Sequence, residues 1–202
     1  MRIFGFFLVI LGLASCGQKS QETKLPAADR EQFLLKGDTI TKVAFAAISG
    51  ELQTALQRGG IEAALQHCNV RAIPLTDSLA RTQHVSLRRV SNKPRNRNNK
   101  ADRLEEFMIK GFTNDQNEKN PITPKLVLKN DTVIYYKPII IQALCLNCHG
   151  TPGNELLKKN DRLIRQLYPG DKAVGYKQGD VRGLWRVAFP YKPTTRPHGQ
   201  GL

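Results

Sequence analysis

Residues 126–141 read LVLKNDTVIYYKPIII, an apolar run, the turn-forming Lys129-Asn130-Asp131, and a longer run rich in β-branched and aromatic side chains. Two such runs around a short polar turn predict an antiparallel hairpin of residues 126–128 with 132–141. Downstream, residues 181–189 alternate Leu184, Arg186 and Ala188 against Trp185, Val187 and Phe189, the period-2 pattern of a strand. Upstream, residues 84–90 carry Val85 and Leu87 with Arg88 outside and predict a third. Before and between these strands the pattern is helical. Phe33, Leu34, Val43, Ala44, Ala47, Ile48, Leu52 and Leu56 recur at three- and four-residue steps over residues 27–58. Gly37 and Gly50 predict a kink or a break there, and Gly59-Gly60 a stop. A short helix over 61–67 is then expected to end at Cys68, with another from Pro74, a good first-turn residue, to about residue 82. Residues 91–99 read as a loop. Residues 101–112, with Leu104, Phe107 and Met108 on one face, and 155–167 read as helices. Helices first and antiparallel strands later predict an α+β fold, a sheet flanked by helices and preceded by a long N-terminal helix.

The 202 residues suit one domain, assigned to 27–190. A 40% hydrophobic and 24% charged composition excludes wholesale disorder and a collagenous fibre. The net charge of +14 is compatible with nucleic acid, a membrane surface or an acidic protein, and does not choose among them. Four cysteines are too few for a disulfide-dense scaffold.

The first residues give an address. Arg2 precedes an apolar run over 3–14, shorter than the about 20 residues that span a bilayer as a helix and right for the core of a signal peptide. The run ends in Leu13-Ala14-Ser15-Cys16, small residues before a cysteine, as in a lipobox. An ordinary cleavage site with a chance cysteine is the alternative. The polar stretch after Cys16 favours lipidation. The division is therefore 1–15 lipoprotein signal peptide, 16–26 polar tether, 27–190 domain and 191–202 flexible tail. The expectation is an exported chain, lipid-anchored at Cys16 on the periplasmic or cell-surface side of a bacterial membrane, so nucleic acid is not an expected partner.

Cys145-Leu146-Asn147-Cys148-His149 is the sharpest chemical signal. Two thiols two residues apart suit thioether bonds to the two vinyl groups of one porphyrin, and the next histidine falls under the iron. Gly150 is expected to leave room for the macrocycle. Three alternatives compete. A thioredoxin-type pair wants a βαβ setting, and the motif here follows a strand read as ending at Ala143-Leu144. A zinc site from Cys145, Cys148, His149 and Cys68 lacks a second close-spaced pair. A structural disulfide across two residues closes too small a loop to stabilise much. One motif implies one covalent haem c.

With Cys16, Cys145 and Cys148 assigned, Cys68 is the remaining thiol. It is either a buried structural cysteine or the sixth iron ligand opposite His149. His67, beside it, is a rival ligand. His84, His198 in a Gly- and Pro-rich tail, and Met108 on an apolar helix face are weaker ones.

Several ordered motifs resemble one family. They are Cys68 with Pro74, the segment 85–96 reading VSLRRVSNKPRN, paired tyrosines and Pro138 before C-x-x-C-H, YPGDKAVGY at 168–176 and GDVRG at 179–183. The family is that of exported bacterial c-type haem domains with a PAS-like fold, and the resemblance covers about residues 30 to 190. It implies a PAS-like antiparallel sheet holding the haem, and a Cys/His axial pair in which Cys68 supplies the thiolate. The segment 95–100, RNRNNK, is more basic than the family pattern implies.

A thiolate donor stabilises ferric iron and lowers the potential. Two strong axial ligands leave no open position, so a non-enzymatic role is expected. The two classes kept are a redox or gas sensor and a low-potential electron-transfer cytochrome, each working with an unidentified redox or signalling protein. A membrane-surface module is a third class. Residues 81–103 hold eight Lys or Arg against Asp102, read either as a solvated loop or as attraction to haem propionates, lipid or an acidic partner. Arg182 is a separate candidate for a propionate or a structural carboxylate.

Overall fold

A computed structural model of the chain describes residues 25–192. The residues read as a signal peptide, Cys16 and His198 lie outside the described residues. The elements run α1 (Ala27–Thr82), β1 (Ser86–Val90), α2 (Arg103–Asn117), β2 (Lys125–Lys129), β3 (Thr132–Ile140), α3 (Leu146–His149), α4 (Lys158–Leu167) and β4 (Val181–Pro190). The four strands form one antiparallel sheet in the order β1-β4-β3-β2. The expected hairpin is present, with Lys129 paired to Thr132 and Asn130 at φ 52° in the turn. The fold is α+β, as the order of helical and strand patterns predicts.

Both faces of the sheet are covered, so β4 reads as nearly continuous apolar sequence. Leu87, Val133, Tyr135, Trp185, Val187 and Phe189 face α1, where Phe33, Ile40 and Ala44 meet them. Val90, Ile134, Tyr136, Leu184 and Ala188 face α2, where Met108, Ile109 and Phe112 meet them. The apolar face of α2 is rotated from the expected one. Phe107 is 71% exposed and Glu105 is fully buried. Glu105 closes a capping box with Asp102 and lies 3.2 Å from Arg186 and 3.8 Å from Arg88, so cations from β1 and β4 hold its charge inside.

The first helix departs most from expectation. Neither Gly37 nor Gly50 breaks it, because burial of Phe33, Ile40 and Ala44 outweighs a glycine penalty of about 1 kcal/mol each. At Gly37 the missing side chain is needed. A Cβ there would lie 2.3 Å from Cγ of Tyr135, so the bare backbone lets α1 close on the ring. The break comes at Gly59 (φ −160°) and Gly60 (φ 65°, ψ −155°), the second a conformation that glycine adopts readily. The helix there folds back on itself. Glu51 and His67 would stand about 24 Å apart along a straight helix, yet their side chains meet at 2.7 Å. The second arm runs unbroken through Cys68 and Pro74 to Thr82. Cys68 is therefore inside a helix, not at the end of one, and Pro74 does not start one. Packing of Ala64, Leu65, Thr76 and Leu79 overrides that local signal.

The remaining corrections are at element ends. β1 begins at Ser86, since His84 turns at φ 51°. β3 ends at Ile140, and Ala143–Cys145 is a 3-10 turn rather than strand. Leu25 packs on the core and does not belong to the tether. Tyr191 is buried and donates its hydroxyl to Asp29 at 2.7 Å, so the tail does not begin there. Lys137 of β3 donates to Asp38 of α1 at 2.7 Å and ties the first arm to the sheet.

The two glycines of the first arm predict opposite responses to alanine. Gly37→Ala should destabilise the protein by about 1–3 kcal/mol through overpacking against Tyr135. Gly50→Ala, with nothing near its added Cβ, should stabilise by about 0.5–1 kcal/mol. Urea denaturation of both variants checks the pair.

Candidate functional site

The reversal of α1 opens a cavity of about 400 Å³ at one end of the sheet. The first arm contributes Phe45, Ile48, Leu52 and Leu56, and the second Ile61, Ala64, Leu65 and Cys68. Cys145, Cys148 and His149 lie on the wall formed by the 3-10 turn and α3, and Arg182 of β4 lines it too. Five residues singled out in the sequence thus share one cavity. His67, His84 and Met108 do not line it. His67 sits in a separate cleft with Glu51 and Arg58, His84 faces a cleft around Arg81 and Pro190, and Met108 is core beneath α2.

The motif is held by the loop between α4 and β4. His149 Nδ1 donates to the Ala173 carbonyl at 2.7 Å, which fixes the tautomer and leaves Nε2 as the nitrogen that could ligate a metal. Burial, then the charges of Arg182 and Arg95, hold the His149 imidazole well below its ordinary pKa, so it is neutral. Gly150 also makes room for its protein neighbours, since a Cβ there would lie 2.7 Å from the Leu146 carbonyl and 2.8 Å from Glu155. Behind the motif Leu65 packs with Leu156 and Ile164.

Arg95 is the residue that sequence reading placed wrongly. It stood in a basic stretch read either as a solvated loop or as attraction to propionates, lipid or an acidic partner, and it is 12% exposed, facing an Asp171 carboxylate that is 4% exposed. Its guanidinium donates to both Asp171 oxygens at 3.2 Å, to the Cys148 carbonyl at 2.6 Å and to the Ala173 carbonyl at 3.3 Å. Asp171 in turn accepts from the Ala173 amide. One fork therefore ties the C-x-x-C-H turn to the loop that orients His149. The acid that balances Arg95 lies 76 residues downstream, so local charge counting could not find it. Arg89, also in the basic stretch, lines the cavity as well.

The competing chemistries fare differently. Burial pushes the Cys148 and Cys68 thiols above their ordinary pKa, the reverse of a reactive thioredoxin-type thiolate. All three described cysteines are free thiols. Among the described residues no group of three or more His, Cys, Asp or Glu side chains converges to hold a metal ion. The donors surround a cavity instead of meeting at a point. That arrangement fits a haem, which Cys145, Cys148, His149 and Cys68 would hold between the apolar arms.

Fold and site together define a small α+β domain in which a folded-back helix and an antiparallel sheet enclose a C-x-x-C-H cavity. The chain matches the Tll0287-like family over residues 19–190 and belongs to it. The resemblance read from the ordered motifs to a haem-binding family therefore holds. A solved structure, that of the cyanobacterial heme-protein Tll0287, is similar at 21% identity and a TM-score of 0.57, covering 82% of this chain and 97% of that one. At that identity the likeness speaks for the fold. No curated protein matches the chain.

Removing one member of the buried fork leaves the other charge unpaired. Asp171→Ala should destabilise the protein by about 3–5 kcal/mol, and Arg95→Lys, which keeps the charge but loses the fork geometry, should recover only part of that when placed against Arg95→Ala. Thermal unfolding, with proteolysis at 168–176 as a local readout, tests both.

Proposed function

We propose that the chain is an exported, lipid-anchored haem c protein that acts as a redox or gas sensor. One haem is attached through Cys145 and Cys148, with His149 and Cys68 as axial ligands. The observation that carries this reading is the placement of Cys68 and His149 on one cavity from different elements, with the C-x-x-C-H thiols beside them. The similar solved structure is that of a heme-protein, which supports the same cofactor. When bound, the haem supplies an iron centre able to change oxidation state or exchange a ligand. The protein's part is to hold His149 neutral and oriented, to present Cys68 for deprotonation by the metal, and to exclude water with the two arms. Both axial positions come from the chain, which supports a non-enzymatic role.

Cys68 rides on the second arm, which joins the first through Gly59-Gly60 and the Glu51–His67 contact. Loss of that ligand would free the arm's grip on the cavity, a route from iron chemistry to the protein surface. This favours a sensor that signals to another protein. One observation favours electron transfer instead: Phe45 and Leu144, both lining the cavity, are 49% and 50% exposed, so a redox partner would find a porphyrin edge close to the surface.

Protein made with a cytochrome c maturation system should keep its colour through denaturation, and Cys145→Ala with Cys148→Ala should abolish it. Cys68→Ser should remove the low-spin thiolate signature from the ferric EPR spectrum and raise the potential, whereas His67→Ala should leave both in place. Silence of Cys68→Ser would overturn the axial assignment. Displacement of a ligand on reduction or on adding CO or NO supports sensing; six-coordination in both states supports electron transfer.

Anchoring has its own test. Cys16→Ser should leave the precursor unacylated and uncleaved by the lipoprotein peptidase, and the native protein should leave membranes only with detergent.

A further inference from the structure

Three guanidiniums line the cavity, from Arg89, Arg95 and Arg182, and none of its lining residues is acidic. Arg95 has Asp171. The other two have no carboxylate partner among the described residues, although Arg88 and Arg186, on the same two strands, are both paired with Glu105. Arg182 gives one nitrogen to Ser91 Oγ at 2.7 Å, and its Nε is buried with no hydrogen-bond partner. Arg89 stands 5.9 Å from the Trp185 ring centroid on the face of the sheet turned to α1. A buried guanidinium donor without an acceptor is a costly arrangement that a protein keeps where an anion completes it.

We propose that Arg89 and Arg182 bind the two propionate carboxylates of the haem. The proposal rests on the haem reading and extends it from the iron to the opposite edge of the macrocycle. A haem held by Cys145, Cys148 and His149 carries two carboxylates that must either reach water or meet cations. Arg89 and Arg182 come from β1 and β4, adjacent strands that form the sheet side of the cavity. Two guanidiniums against two carboxylates neutralise both charges in the place where they are desolvated. Each pair would be a charge-assisted, fork-on-carboxylate contact. The same arrangement explains why the basic stretch 81–103 contains an arginine whose side chain points into the protein. Burial also lowers the pKa of both arginines, the direction expected of cations whose counter-charge arrives with the ligand.

The test separates this contact from the haem itself. In a Cys145→Ala, Cys148→Ala background, where haem binds without covalent bonds, hemin and its dimethyl ester are titrated in parallel. The free acid should bind about tenfold more tightly for each arginine in use. Arg89→Met and Arg182→Met should each reduce the preference and together bring it to parity, while Arg89→Lys and Arg182→Lys retain part of it. In the covalent wild-type protein, the methionine variants should lower the midpoint potential. If the methionine variants fail to fold, the acid-to-ester ratio with both arginines present decides alone. Parity there, with both ligands bound, overturns the propionate assignment and leaves the haem reading standing. Parity together with competition by inorganic phosphate would assign the arginines to a free anion instead. Failure to bind either ligand, with no covalent haem in the wild type, sinks the haem reading and the proposal with it.

Discussion

The cavity exists because the first helix turns back at Gly59-Gly60. A straight 56-residue helix would be about 84 Å long and would touch a four-stranded sheet over only part of its length. Folded back, its first arm lies on one face of the sheet and its second returns beside the first, which leaves a slot between them. Everything at the site depends on that reversal. Cys68 comes to face His149 only because the second arm returns. The apolar stripes Ile48-Leu52-Leu56 and Ile61-Ala64-Leu65 face one void only because the arms are antiparallel. The Glu51 to His67 contact closes the outer side of the turn, so His67 is taken up there and Cys68, one residue on, is left to the cavity.

The second constraint is the Arg95–Asp171 fork. A four-residue helix carrying Cys148 and His149 has almost no cooperativity of its own and needs tertiary anchors. Arg95 supplies one by holding the Cys148 carbonyl, and the Ala173 carbonyl supplies another by holding the His149 ring. Both anchors depend on the same loop, which Asp171 organises. His149 is thus positioned by two other parts of the chain, Arg95 and the 171–173 loop, and a local change in either reaches the ring.

How much was legible in the sequence depends on the range of the interactions. The hairpin, the α+β class and the C-x-x-C-H turn rest on contacts between near neighbours, and local pattern reads such contacts well. The continuous second arm was missed because Pro74 and Cys68 carry the local marks of helix ends, while the packing that overrides them comes from elements far along the chain. Gly37 was misread for the same reason. It was taken as a weakness of the helix, and its role is set by Tyr135 across the sheet. Arg95 looked like one charge among eight in a loop. Only the fold brings Asp171 to it, and no spacing rule connects two residues 76 apart. The candidate donors Cys68, Cys145, Cys148 and His149 were legible because their chemistry is fixed by residue type; the residues that position them were not, because their roles come from the fold.

On the proposed reading the cavity sets two electrostatic influences against each other. An anionic sulfur from Cys68 favours the more positive iron state, and it acts on the metal directly. The guanidiniums of Arg89, Arg95 and Arg182 favour the less positive state, and they act through space. Asp171 cancels most of the effect of Arg95, and propionates would cancel much of that of Arg89 and Arg182, so the cationic lining neutralises the ligand's edge more than it raises the potential. The thiolate then dominates the iron while the arginines keep the macrocycle from shifting toward water. Such a division places redox tuning on a side chain of the second arm and retention of the haem on the sheet. A change of ligand at Cys68 would therefore alter the iron while leaving the macrocycle seated.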